Sequence, residues 1–489
     1  DVNLLLGTEY IKNKEDLIGG ARSNYDITIP GYQYLDYGDL GSPTRPYPYS
    51  SGTTKGFTLM SYFGSATYGY KNKYNATATL RADGSSRFGP NNKWGYFPSV
   101  GANWVISNED FMKENNWLSY AKLRASWGQA GNQEIPNWAY FDIVTTSDGI
   151  VDIDRYGNPD LKWETTTQTN FGVDFAFLND RLSFSADYFN KTTEDIILAI
   201  QLPALAVGVI QRTFVNAGEV ENKGFEFNLG WRDGGSDFKY GINANLATLD
   251  NRVNKLHQFV DNIMGDQDHT RVEVGNPLFS YYGYQFEGIY QNQAEVDSHL
   301  FTNSDGKLPG DMKFKDINGD GRINADDRTF IGNPIPKITY GLNFNASYKN
   351  FDISFLLQGV KDVDRYNDMI QILDYDSRPF NSTTDVLNSW NGEGTSNTTP
   401  RVTFNNNGGG FLSSKFVEDA SYLRLKNVEL GYTFDEVFKG VANMRLYISG
   451  QNLLTWTKYK GLDPESTLYV DKGTYPQSTA VIFGAKINL

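Results

Sequence analysis

The chain has 489 residues, no cysteine, 48 glycines and 15% aromatic residues, built from 31 Tyr, 31 Phe and 9 Trp. Its formal charge of −14 excludes nucleic acid as a partner, because binding phosphate needs a basic footprint. The absence of cysteine excludes a disulfide-stapled scaffold and is compatible with an oxidising envelope compartment. No stretch approaches the roughly 20 apolar residues of a membrane helix. The nearest, Ile196–Ile210, contains Gln201 and Pro203 and reads as a loop or strand end.

Period-two alternation marks fourteen candidate strands. Asp1–Ile11 is followed by Gly56–Tyr70 and by Tyr74–Asp83, where Tyr74, Ala76, Ala78, Leu80 and Ala82 share a face. Trp94–Ser107, Ala121–Ala130 and Thr166–Phe177 come next, the last aligning Phe171, Val173, Phe175 and Phe177. Arg181–Ile197, Lys223–Arg232 and Phe238–Leu249 follow. In Ile338–Tyr348, Ile338, Tyr340, Leu342, Phe344, Ala346 and Tyr348 alternate with Thr339, Gly341, Asn343, Asn345 and Ser347. Phe351–Val360, Tyr422–Phe434, Met444–Trp456 and Thr479–Leu489 complete the set. Successive side chains of a strand point to opposite faces, so each run has one apolar and one polar or small-residue face. Runs of about 10 residues are long for a soluble sheet and fit tilted strands crossing a bilayer. A mean hydropathy of −0.49 does not oppose this, since every second residue of such a strand faces the lumen.

The connections alternate between short and long. Lys71–Lys73, Asn108–Tyr120, Leu178–Asp180, Asp233–Asp237, Lys349–Asn350 and Asp435–Asn443 are short; 12–55, 84–93, 131–165, 198–222, 250–337, 361–421 and 457–478 are the other class. Segments 84–93 and 108–120 are of similar length and blur the division. Short periplasmic turns and longer external loops are the habit of antiparallel outer-membrane barrels. If the last strand ends in the periplasm, parity puts every long segment outside, provided that Phe279–Tyr290 does not span. That segment is therefore placed in the external excursion 250–337, with a hairpin there as an option. A soluble array of β-sandwiches is the rival reading, but no sandwich-like repeat recurs, and loops of this length are uncommon in compact domains.

Several segments resemble the SusC-like (SusC/RagA) branch of TonB-dependent outer-membrane transporters: Leu80–Val100, Lys122–Asn132, Asn158–Glu164, Asn216–Glu226, Asp316–Asp327 and Glu418–Tyr432. The resemblance runs in family order to the closing strand. It implies a 22-stranded barrel, an N-terminal plug with a TonB-contacting segment, and a SusD-like lipoprotein lid. The fold class expected is an all-β transmembrane antiparallel barrel, of which this chain supplies about 14 strands, the C-terminal two-thirds. The chain starts at Asp1 without a secretory signal, so a mature or partial chain is expected. It ends in Leu489 where family barrels usually end in an aromatic residue.

The sharpest local motif is Asp316-Ile317-Asn318-Gly319-Asp320-Gly321-Arg322-Ile323-Asn324-Ala325-Asp326-Asp327. Oxygen side chains at Asp316, Asn318 and Asp320, glycine at 321 and a carboxylate at Asp327 follow calcium-loop spacing, with Arg322 offering its carbonyl and Asn324 completing the set. A structural Ca2+ or Mg2+ is the reading adopted; an Asx-turn loop whose carboxylates cap amides is the other. Gly408–Gly410 read as flexible loop. His257, His269 and His299 show no paired-ligand spacing, and no catalytic residue is expected. Aromatics on strands, such as Phe175 and Trp231, read as lipid-facing or girdle residues. Tyr281, Tyr282, Tyr284, Tyr290 and Trp390 fall in external loops, where ligand or lid contact and simple loop packing weigh equally. Loop 361–421, with Trp390, Asn381, Asn397 and Asn405–Asn407, is polar enough to be floppy unless docked on a lid.

The function expected is TonB-dependent import of a bulky nutrient, an oligosaccharide or a peptide. The partners expected are the N-terminal plug and barrel portion, a SusD-like lipoprotein, TonB, and outer-membrane lipid with cation-bridged lipopolysaccharide. Pairing of two transporter–lid units is implied by resemblance only. A passive 14-stranded porin and a soluble or surface-tethered glycan-binding protein are the alternatives.

Overall fold

The computed structural model describes every residue except 22, 26–37, 40–48, 114, 116, 148–149, 203–210, 235–236, 258–259, 261, 265–268, 302–306, 376–380, 436–442 and 488–489. Fourteen long strands form its wall: β1 Val2–Ala21, β2 Tyr49–Tyr70, β3 Tyr74–Ser85, β4 Trp94–Val105, β5 Leu118–Asn132, β6 Glu164–Phe177 and β7 Leu182–Leu202. The second half is β8 Gln211–Asp233, β9 Phe238–Thr248, β10 Ile338–Tyr348, β11 Phe351–Lys361, β12 Tyr422–Phe434, β13 Met444–Thr457 and β14 Ala480–Ile487. Each pairs antiparallel with the next, an up-and-down meander. Among the described residues no ladder joins β1 to β14.

Register lines the faces up across strands. One row runs Phe175, Phe184, Leu229, Ala244, Leu342, Leu357 and Leu425. A neighbouring row runs Leu182, Trp231, Ile242, Phe344, Phe355 and Val428. Among the described residues nothing covers this apolar face: Phe171 is 56% exposed, Phe225 48% and Leu430 48%. In a sandwich it would be the buried face, so exposed aromatics here exclude that alternative and mark the surface that meets lipid. The opposite face carries Arg81, Arg124, Asp174, Asp187, Asn243, Asn345 and Asp352 and lines the lumen.

The turns between paired strands are tight. Lys71 and Asn72 both have positive φ (51° and 55°), and the Lys73 amide donates to the Tyr70 carbonyl at 2.9 Å. This is a two-residue hairpin turn matched to the strand twist. The expected turns Asp233–Asp237 and Asp435–Asn443 fall partly outside the described residues, as does the closing Leu489.

Two expected long loops are corrected. The segment 12–55 is mostly ladder: pairing runs unbroken from Val2↔Tyr68 to Ala21↔Tyr49. Segment 198–222 likewise continues β7 to Leu202 and opens β8 at Gln211. Hydrophobic alternation stops at Ile11, before Lys12–Asp16, because above the bilayer both faces meet water. Backbone pairing needs no apolar face and continues. Phe279–Tyr290 stays outside the wall, as placed, but it is not a hairpin. Ser280–Tyr284 pairs with Arg328–Gly332, whereas Phe286–Ile289 pairs with Met312–Phe314 in a separate sheet.

Candidate functional site

The site has two parts, a polar lumen wall and a folded cap over its outer end. On the wall, each of three arginines staples neighbouring strands. Arg124 of β5 holds Asp174 of β6 through two bonds of 2.8 and 2.9 Å, and Asp187 of β7 at 2.9 Å. Arg445 of β13 reaches Glu429 of β12 at 2.7 Å and Asp352 of β11 at 2.8 Å. Arg81 of β3 holds Asp83 at 2.8 Å, Ser61 of β2 at 2.9 Å and Glu9 of β1 at 3.1 Å. The planar guanidinium fork suits such bridging. Between the staples, Asn243, Asn245, Asn343 and Asn345 expose neutral amides to the lumen. Sequence reading missed the staples. Their signal was the charged residues on the polar half of spanning strands, which are costly there without a partner.

The cap draws the external excursions into one core. Tyr281, Tyr284, Ile289, Met312, Phe314 and Ile323 from 250–337 pack with Tyr366, Tyr375 and Phe416 from 361–421 and with Val470 from 457–478. The Tyr281 hydroxyl donates to the Tyr469 carbonyl, and burial pushes that phenol up to about 12. Tyr290 shares a 2.9 Å hydrogen bond with His299, and burial raises its phenol too.

Contact with a ligand or lid is therefore corrected for Tyr281, Tyr284 and Tyr290, which are buried in the cap. Tyr282 is half-buried, edge-on to Phe330 at 5.3 Å with the Arg271 guanidinium 4.3 Å over its ring. Trp390 is also half-buried, and its indole N–H donates to Gln291 at 3.3 Å. Loop packing accounts for these five rings because the cap must build its own core.

The described residues of loop 361–421 make their own contacts. Gln371 bonds the Gly409 carbonyl at 2.7 Å, the Gly409 amide donates to Asn407 at 3.0 Å, and Asn407 bonds the Arg401 carbonyl at 2.9 Å. Of the glycine run expected to be flexible, Gly408 and Gly409 are packed, a Cβ on Gly408 (φ +96°) lying 2.7 Å from Met312, while Gly410 is exposed with open space around it. Gly310 (φ +92°) similarly lets the Trp390 ring approach to 2.4 Å of where its Cβ would stand.

Loop 316–327 uses its oxygens on amides. Asp316 accepts from Gly319 at 2.6 Å and Gly321 at 2.8 Å, Asn318 accepts from Asp320 at 2.9 Å, and Asp320 accepts from Arg322 at 2.8 Å. Asn324 caps Asp326 at 2.7 Å. The buried Asp327 accepts from Ile317 at 2.9 Å and Asn324 at 2.8 Å. The Gly321 amide, the largest influence, holds the Asp316 carboxyl below its ordinary range. Among the described residues no three His, Asp or Glu side chains converge as a cation would require. The described hydrogen bonds are those of the Asx-turn reading, with each of these oxygens accepting from a backbone amide.

A family model described as "TonB dependent receptor-like, beta-barrel" matches residues 3–453. The chain belongs to that family. It is part of an outer-membrane barrel, in a family of transporters and not of enzymes. Among its relatives, TonB-dependent receptor P3 of Formosa agariphila is 35% identical, over 99% of this chain and 50% of the relative. TonB-dependent receptor SusC of Bacteroides thetaiotaomicron is 32% identical, over 88% and 44%. The solved RagAB peptide transporter superposes with a TM-score of 0.84 at 28% identity, covering 100% of this chain and 53% of that one. The chain thus spans about half the length of the relatives it matches.

Proposed function

We propose that this chain is the C-terminal wall and outer cap of a SusC-like importer that moves a bulky polar nutrient inward at the expense of TonB-transmitted energy. The observation that carries the reading is the pairing of a stapled, polar lumen face with a self-supporting cap built from three external excursions. The cap frames the mouth and the wall offers a water-compatible path. Arg124, Arg445 and Arg81 brace the path against collapse, while the exposed lumen asparagines offer neutral donors and acceptors to whatever passes. Among the described residues, no ladder pairs the outer edges of β1 and β14, and lipid cannot satisfy unpaired backbone groups. Strands of the N-terminal barrel portion would pair there and house a plug reached by TonB. A stand-alone fourteen-strand porin would need those two edges to meet.

The likeness to SusC and RagAB supports a SusD-like lipoprotein over the cap, and pairing of two such units belongs to the same proposal. The likeness to a peptide transporter and to SusC leaves oligosaccharide and peptide as the cargo classes. Affinity capture of the full-length transporter from detergent-extracted outer membranes tests the reading. The expected result is a co-purifying lipoprotein, together with cargo uptake that stops when TonB is deleted. Uptake that persists without TonB would overturn it.

A further inference from the structure

The connection 133–163 carries an exposed aromatic group that neither the wall nor the cap explains. Trp138 and Phe141 are each 53% exposed, and Tyr140 is half-buried beside them. Their rings form one surface: Tyr140 and Phe141 lie 4.3 Å apart, Trp138 and Phe141 6.3 Å, and Trp138 and Tyr140 6.5 Å between centroids. Trp138 also sits at φ +64°, a left-handed conformation that a bulky side chain rarely adopts. Strain of this kind persists only where the surroundings enforce it, and it gathers at binding and switch positions.

The surroundings do enforce it. Ile135 and Ala139, on either side of Trp138, are buried with Phe88, Phe97, Leu161 and Trp163. Arg87 bonds the Gln133 carbonyl at 2.9 Å and the Asn137 side chain at 3.2 Å. Arg155 donates to the Trp138 carbonyl at 3.3 Å, and the Gly157 amide donates to Asp142 at 2.8 Å. A Cβ on Gly157 would lie 2.3 Å from the Phe141 backbone, so only glycine lets the two limbs of the connection close.

The packing also gives the side of the wall on which the connection sits. Phe97 pairs across the ladder with Arg81, and side chains paired in this way share a face. Arg81 is on the lumen face, so Phe97 and the core packed on it anchor the connection on the lumen side of the wall and not on its lipid side. This argues against a girdle role.

We infer that Trp138, Tyr140 and Phe141 form a stacking platform for the pyranose rings of an oligosaccharide cargo. The inference rests on the import reading above and selects one of its two cargo classes. A pyranose presents C–H groups on its ring face and hydroxyls at its edge. A fixed, water-exposed aromatic surface covers the first, while the neighbouring Asn137, Asp142 and Arg155 offer polar groups to the second. An extended peptide would need a row of backbone partners, which three clustered rings do not supply.

The test uses the full-length transporter with its co-purifying partners, probed against an array of neutral and acidic polysaccharide fragments and a tryptic peptide library. The expected result is capture of oligosaccharides, with roughly three- to tenfold weaker binding in Trp138→Ala and near-normal binding in Trp138→Phe. Trp138→Gly removes the ring while relieving the positive φ, so it should fold with an unchanged or higher melting temperature and still lose affinity. Tyr475, 89% exposed elsewhere, is the control, and Tyr475→Ala should bind as the parent does. Capture of peptides only, or oligosaccharide binding indifferent to Trp138→Gly, overturns the platform while TonB-dependent uptake leaves the import reading standing. Loss of lipoprotein or plug association in Trp138→Gly, with cargo affinity intact, overturns it in favour of a docking role.

Discussion

Adjacent residues of β10 should respond oppositely to the same charge. Phe344 lies near the middle of the 11-residue strand and stacks on Phe355 at 5.1 Å, in the row that meets lipid. Asn345, the next residue, is exposed on the lumen face opposite Gly241 and Ser354. A lysine near the bilayer midplane costs about 2–4 kcal/mol, and loss of an aromatic pair costs about 0.5–1.5 kcal/mol beyond area. Phe344→Lys should therefore destabilise the folded barrel by roughly 3–5 kcal/mol, two to four orders of magnitude in its folding equilibrium. Asn345→Lys puts the same ammonium in lumen water and should stay within about 0.5 kcal/mol of the parent. The assay is folding of the full-length transporter from urea into lipid vesicles, read as the midpoint of heat-modifiable gel migration. Equal losses in the two variants, or a larger loss for Asn345→Lys, would refute the assignment of faces and with it the barrel.

Two further predictions concern the loops. Arg424, buried at the outer end of β12, bonds Asp463 at 2.6 Å, Glu465 at 2.7 Å and Thr455 at 2.8 Å, tying segment 458–479 to the wall. Asp463→Asn leaves that guanidinium with Glu465 as its one carboxylate beside the Thr455 hydroxyl and should cost about 1–3 kcal/mol, the range for a lost hydrogen bond to a charged group, seen as faster hydrogen exchange across 458–479. Burial pushes the Asp463 carboxyl up, but the Arg424 bond and the Gln477 and Glu465 amides outweigh it and hold the group below its ordinary value. Its contribution is thus complete above about pH 4 and disappears as pH falls through the lower folded value; protection lost already at pH 6 would contradict this. In loop 316–327, EDTA should leave exchange unchanged, while Asp327→Ala strips the Ile317 and Asn324 amides of their acceptor and costs about 1–3 kcal/mol. Protection that appears with calcium and vanishes in Asp320→Ala would reinstate the cation.

What could be read in the residues, and what could not, follows from which forces are local. Period-two alternation located all fourteen wall strands, and Ile338–Tyr348 coincides with β10 to the residue, because lipid on one side and water on the other imposes the pattern residue by residue. Where that asymmetry ends the pattern ends too, which is why Lys12–Asp16 read as loop although its ladder continues. The 316–327 spacing serves both a cation and a set of Asx turns, since both ask for oxygens that converge on a tight glycine turn. Tyr281 looked available because its burial in the cap depends on partners far along the chain, such as Tyr366 and Phe416.

Trp138 shows the same limit from the other side. Its neighbours Pro136 and Asn137 announce a turn, but nothing local says that the turn places a tryptophan at positive φ. That conformation is enforced by Ile135 and Ala139 packing beneath and by Gly157 closing from the far limb. A sequence free to choose would put glycine or asparagine at such a position. The presence of the largest side chain there, with its ring left in water, implies that the ring itself is what the connection is built to present.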